Sequence, residues 1–102
     1  MGGVCVRRTA VTVACLFASV ASAHAASTVP PSGAASCTGC HAENAKVETQ
    51  VPRIAGRPPA EIVAAMEGFR SGQKPATVMD RIAKGFTEAE TRAIAEWLGA
   101  QK

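Results

Sequence analysis

The chain has 102 residues, 47% of them hydrophobic, with 11 lysines and arginines against 8 carboxylates and a formal net charge of +3. That length allows one small domain and nothing larger. The positive balance carries no argument for nucleic acid, because Arg7 and Arg8 lie in the opening segment and without them nine basic residues face eight acidic ones, a net of +1.

The elements follow in chain order. Residues 1–25 read as a cleaved signal peptide: a charged start at Arg7 and Arg8, an apolar run from Ala10 to about Val20, then small residues in which Ala21-Ser22-Ala23 or Ala23-His24-Ala25 fits the cleavage pattern. The run falls short of the ~20 apolar residues of a spanning helix. The expectation is a protein exported to the periplasm that spans no membrane once cleaved. Cleavage also removes Cys5, Cys15 and His24, so two cysteines and one histidine remain. Residues 26–32, with Pro30-Pro31, form a flexible lead-in, and residues 33–102 form the domain. Ser32 is placed to cap a short Ala-rich helix over 33–41. Residues 42–58, punctuated by Pro52, Gly56 and Pro58, read as a loop. "PAEIVAAMEGFRSG" reads as a helix opened by proline, with Ile62, Met66 and Phe69 recurring on one face and Gly72 at its end. "QKPATVMDRIAKG" is a loop followed by a helical turn. The last helix is the clearest: Thr87-Glu88-Ala89-Glu90 is a capping box, Ile94, Trp97 and Leu98 share a face, and Glu88–Arg92 and Arg92–Glu96 are spaced for ion pairs. No run alternates as a strand does. The fold class is all-α, three to four helices with no sheet.

Such a domain is short of material. Residues 26–102 contain three large aromatics, Phe69, Phe86 and Trp97, and domains this small usually need a staple. A disulfide between close-spaced cysteines does not supply one, because a disulfide stabilises chiefly by closing a long loop. Something apolar and bulky is missing from the core.

The stretch "ASCTGCHAE" places Cys37, Cys40 and His41 together. On a helix the two thiols share a face and the imidazole lies one turn beyond Cys37. C-x-x-C-H is the pattern for covalent haem attachment. A structural zinc site wants four nitrogen or sulfur ligands, and three are on offer. A thioredoxin-like pair belongs with a βαβ pattern, and none is visible. The reading is therefore one haem c, held by Cys37 and Cys40, with His41 on the iron. For the sixth position the donors left are Met66 and Met79. Met66 lies on the apolar stripe of its helix and reads as core filler. Met79 lies in a loop region from which a thioether can be aimed at a metal, and His/Met ligation raises the reduction potential. A cavity lined by Ile54, Phe69, Ile82 and Met79, facing His41, is expected.

"CTGCH", then "PRIAG", then "EIVAAMEGFRSGQKPATVMDRIAKGFTEAE" resembles a class I cytochrome c, most closely the cytochrome subunit of flavocytochrome c sulfide dehydrogenase. The resemblance spans about residues 36–98. It implies a small class I cytochrome c fold around one covalently bound haem, thioethers at Cys37 and Cys40, and axial ligands at His41 and Met79. It also puts Pro52 where a proline carbonyl accepts the proximal imidazole N–H. The chain departs from that pattern in having Ala42, not glycine, after His41. The implied role is outer-sphere electron transfer, with electrons from a sulfide-oxidising flavoprotein partner passing through this chain to a downstream redox carrier. Catalysis then resides in the partner, and the chain itself is no enzyme. Two other readings stay open: a free-standing soluble carrier, and a haem sensor or peroxidase-like protein whose sixth site is open. Residues 51–84 are net basic, a segment that either steers an acidic partner or simply forms solvated helix faces.

Overall fold

The computed structural model describes residues 28–101. The signal segment and the first two residues of the lead-in lie outside the described residues. Helices α1 (Ala34–Thr38), α2 (Pro59–Ser71), α3 (Met79–Ile82) and α4 (Glu88–Gly99) follow one another, with α3 running into a 3-10 turn over Ala83–Gly85. The described residues contain no strand.

Helix α1 is shorter than the composition suggests, and Ser32 does not cap it. Its N-cap is Gly33, in the left-handed region with φ 87°. Packing dictates this: a Cβ on Gly33 would lie 2.7 Å from the Phe86 ring and 3.4 Å from Ile94 Cδ1, so only glycine allows the chain to approach α4 so closely at that φ. Ala34 is thereby buried against Ile62, Ile94 and Trp97. Beyond Thr38 the helical hydrogen bonding lasts one more turn, with the N–H groups of Cys40 and His41 both donating to the Cys37 carbonyl at 3.2 and 2.8 Å.

Helix α2 starts and stops by strong local signals. Pro59 occupies the first helical turn, where its missing N–H costs no bond, and Gly72 ends the helix at φ 77° with its N–H returning to the Phe69 carbonyl. Glu61 near the N-terminus and Arg70 near the C-terminus suit the helix dipole. The capping box of α4 forms as expected. The Thr87 hydroxyl oxygen accepts from the Glu90 N–H at 3.2 Å, and the Glu90 carboxylate accepts from the Thr87 N–H at 2.8 Å and from the hydroxyl at 2.7 Å. Arg92 pairs with Glu88 and forms no bridge to Glu96. Both partners of the pair that forms are largely exposed, so it contributes a few tenths of a kcal/mol at most.

Helix α2 packs along α4. At the far end the backbones nearly touch: a Cβ on Gly99 would meet the Arg57 carbonyl and Pro59 Cγ, each at 2.9 Å, and the Gly56 N–H donates to the Leu98 carbonyl at 2.9 Å. The core made this way is small. Ala34, Ile62, Ile94, Ala95, Trp97 and Leu98 form its buried cluster, and Leu98 is the one large side chain less than 2% exposed among the described residues. Ile54, Met66, Phe69, Met79, Ile82 and Phe86 are half-buried.

The hydrogen bonds from Thr87 hold the Glu90 carboxyl below the ordinary glutamate range. A carboxyl depressed in the folded state stabilises the fold above its unfolded pKa, and that contribution is lost as pH falls through the folded value. Acidification through and below the normal glutamate range is therefore expected to lower stability in denaturant titrations. A Glu90→Gln variant should lack that component of the pH dependence while keeping its helix.

Candidate functional site

The sequence between the C-x-x-C-H stretch and α2 has no regular structure, yet it is pinned at several points. The Arg53 guanidinium donates from Nε to the Glu43 carbonyl at 2.9 Å, drawing the loop back onto the segment that follows His41. Arg57 Nε donates to the Arg53 carbonyl at 3.0 Å, and the Arg57 N–H to the Ile54 carbonyl at 3.2 Å. Between these ties sits Pro52, whose carbonyl lies 2.5 Å from His41 Nδ1. With the proton on Nδ1 this is a donated hydrogen bond, and it leaves the Nε2 lone pair free for a metal.

On the other side, α3 is strapped to α2. Arg70, in the last turn of α2, donates from Nε to the Ala83 carbonyl at 3.3 Å and from its terminal nitrogen to the Phe86 carbonyl at 2.6 Å. Met79 opens α3, so it is the first residue of a one-turn helix and not part of the loop before it. This local geometry suits the sequence: Pro75 and the residues up to Val78 are irregular and exposed, and Asp80 in the first turn and Arg81 in the last match the helix polarity.

These elements enclose a cavity of about 410 Å³, within the ~300–1,000 Å³ typical of cofactor and ligand sites. Ile54, Phe69, Ile82, Met79 and His41 line it, the set expected from the sequence. Cys37, Cys40, Pro52 and Met66 line it as well. Met66 therefore faces the cavity from the same helix stripe as Phe69, and the reading of it as plain core filler misses that position. Cys37 is half-buried and packs on the core, Cys40 is exposed, and neither is in a disulfide. Burial pushes the Cys37 thiol up from its usual range, which lowers its thiolate fraction relative to an open cysteine.

Chemically the cavity offers an imidazole oriented by a carbonyl, two thioethers, two free thiols and apolar walls. Among the described residues no three histidine, cysteine or acidic side chains gather closely enough to clamp a bare metal ion. The donor set does fit a haem: thiols at the rim for its vinyl edge, nitrogen and sulfur donors for its iron, and apolar surface for its faces. Arg70 is the positioning residue that sequence reasoning passes over. Its place in the helix explains it as a dipole complement, and nothing local signals that it reaches carbonyls 13 and 16 residues further on.

Comparison with known proteins agrees with this chemistry. No family model matches the chain. Over 64 residues, 63% of the chain, it is 41% identical to the cytochrome subunit of sulfide dehydrogenase from Chlorobaculum tepidum, and the match covers 58% of that protein. Over 73 residues, 68% of the chain, it is 33% identical to the thiosulfate dehydrogenase electron acceptor of Thiomonas intermedia, covering 34% of it. The chain is thus homologous to a cytochrome subunit, as the resemblance of its motifs implies, and it spans less than two thirds of the length of either relative. Homology to a cytochrome implies haem. No helix among the described residues is long and apolar enough to cross a membrane.

Replacing Arg70 by alanine should cost about 1.5–3 kcal/mol, the range for hydrogen bonds to a charged group. Hydrogen exchange should then quicken over residues 79–86, with the C-terminal half of α4 little changed.

Proposed function

We propose that this chain is an exported, periplasmic c-type cytochrome carrying one covalent haem, which accepts single electrons from a dehydrogenase partner and hands them to a downstream redox carrier. The observation that carries the reading is the His41 imidazole, held by the Pro52 carbonyl at 2.5 Å, on the wall of an apolar cavity that Cys37, Cys40 and Met79 also line. When bound, haem supplies a one-electron ferric/ferrous couple. Cys37 and Cys40, both free of disulfides, would hold the haem to the chain as thioethers, formed by adding each S–H across a vinyl group with no leaving group. His41 and Met79, which line the same cavity, would be the nitrogen and sulfur donors to the iron, and with both engaged the protein would itself close the site to small ligands. The apolar walls exclude water and disfavour the additional charge of the oxidised state, as burial disfavours any uncompensated charge.

The homology to the cytochrome subunit of a sulfide dehydrogenase supports a partner that oxidises sulfide, a flavoprotein in the reading drawn from the motifs. On this view the catalytic step belongs to that partner and the chain is an electron-transfer subunit. The homology to an electron acceptor of thiosulfate dehydrogenase favours a second reading, a freely diffusing carrier that takes electrons from a dehydrogenase without being its permanent subunit. Co-purification of the native protein separates the two: a stoichiometric flavoprotein is expected for the first and is absent for the second.

The intact mass of the exported protein should exceed that of the processed peptide by one haem, and alkylation with or without reductant should find no free thiol. A bare peptide mass with two titratable thiols would end the proposal. Met79→Ala should lower the midpoint potential, abolish the methionine–ferric charge-transfer band and let the ferrous protein bind carbon monoxide rapidly. Met66→Ala should keep the band and cost about 2–5 kcal/mol of stability at most. Loss of the band in Met66→Ala instead would assign the sulfur ligand to α2.

A further inference from the structure

Resting on the haem reading above, we propose that Thr91 tunes the reduction potential of the site: its hydroxyl oxygen sets the negative end of a fixed dipole against the cavity and favours the ferric state. Thr91, Ile94 and Leu98 recur at helical spacing on α4, and all three line the cavity. Ile94 is 4% exposed and Leu98 1%, as a core stripe requires. Thr91, at 5%, is the one buried polar residue among the described residues. A valine there would keep the same shape without burying a hydroxyl, and helix propensity does not separate the two. A polar group where the local pattern calls for an apolar one is a mark of functional sites.

The hydroxyl has a defined direction. It donates to the Thr87 carbonyl at 2.9 Å, and that carbonyl also takes the Thr91 N–H at 3.0 Å. The proton is thus turned in toward the backbone of α4, and the oxygen lone pairs are left on the side away from it. Ser36, Gln50, Glu61 and Thr77 also line the cavity, but they are exposed, so water screens them. The Thr91 dipole is enclosed and cannot turn. In such a low-dielectric wall its negative end lowers the energy of positive charge across the cavity. Oxidation adds positive charge at the iron, so Thr91 pulls the midpoint down, against the apolar walls that favour the ferrous state.

The test is a spectroscopic redox titration of the haem-loaded full chain at fixed pH and ionic strength, with thermal unfolding followed on the same samples. Thr91→Val orphans no group, because the Thr87 carbonyl keeps its N–H partner. It should shift the ferric/ferrous equilibrium about threefold toward ferrous, a rise of about 30 mV for one electron. Thr91→Ser keeps the hydroxyl and its bond, and should show less than half of that shift. Ile94→Val trims the same stripe without changing its polarity, and should lower the unfolding temperature with the midpoint unmoved. If Thr91→Val fails to take up haem, Thr91→Ala, which is smaller and enters the same space without a clash, carries the same expected rise. An unmoved midpoint in the haem-loaded Thr91 variant, whatever its unfolding temperature, would mark the hydroxyl as structural and overturn the assignment alone. So would the full rise in Thr91→Ser or an equal rise in Ile94→Val. Absence of any haem band in the unaltered protein would overturn it together with the reading on which it rests.

Discussion

The side chains that should close the interior of this chain stop short of one another. Ile62, Ile94, Trp97 and Leu98 bring α2 and α4 together, but Ile54, Phe69, Ile82 and Phe86 stand around a space of about 410 Å³ without filling it. A polypeptide of this size has little hydrophobic surplus to set against the entropy of ordering its backbone, so the placing of these few apolar side chains is a severe constraint. Much of the architecture follows from it. Helices α1 and α3 are too short to be stable alone and depend on what they lean against. The loop from 42 to 58 has no ladder of its own and is held by side chain to carbonyl bonds.

Arginine does most of that holding. Arg53, Arg57 and Arg70 each donate to main-chain oxygens, which are the groups that irregular backbone leaves unpaired. The basic character of residues 51–84 thus acquires a structural use besides any steering of a partner. At Arg70 the planar fork satisfies two carbonyl oxygens in fixed directions, which a lysine ammonium would not reproduce.

Much of this was legible in the residues. Pro59 and Gly72 bracket α2, the Thr87–Glu90 box starts α4, and the spacing of Ile94, Trp97 and Leu98 marks the buried face, because each of these signals acts within a few residues of itself. The cavity lining was legible too, since a chemistry-bearing stretch with too few aromatics implies what must surround it. What escaped notice depends on contacts between distant parts of the chain. The start of α1 is set by Gly33 against Phe86 and Ile94, not by Ser32. Arg70 finds carbonyls beyond a turn that its own helix does not foreshadow. Arg92 settles on Glu88 and leaves Glu96, a choice between two equal spacings that composition cannot decide.

The Arg70 strap has a mechanical consequence. Because one guanidinium bonds carbonyls at both Ala83 and Phe86, the short segment that begins at Met79 is coupled to the long helix α2 and has little freedom to swing by itself. A centre that gains and loses electrons works fastest when its surroundings keep the same shape in both states, since any nuclear displacement between them adds to the activation barrier. On the proposed haem reading, bracing the segment that begins at Met79 to helix α2 is one way for so small a protein to keep that displacement low.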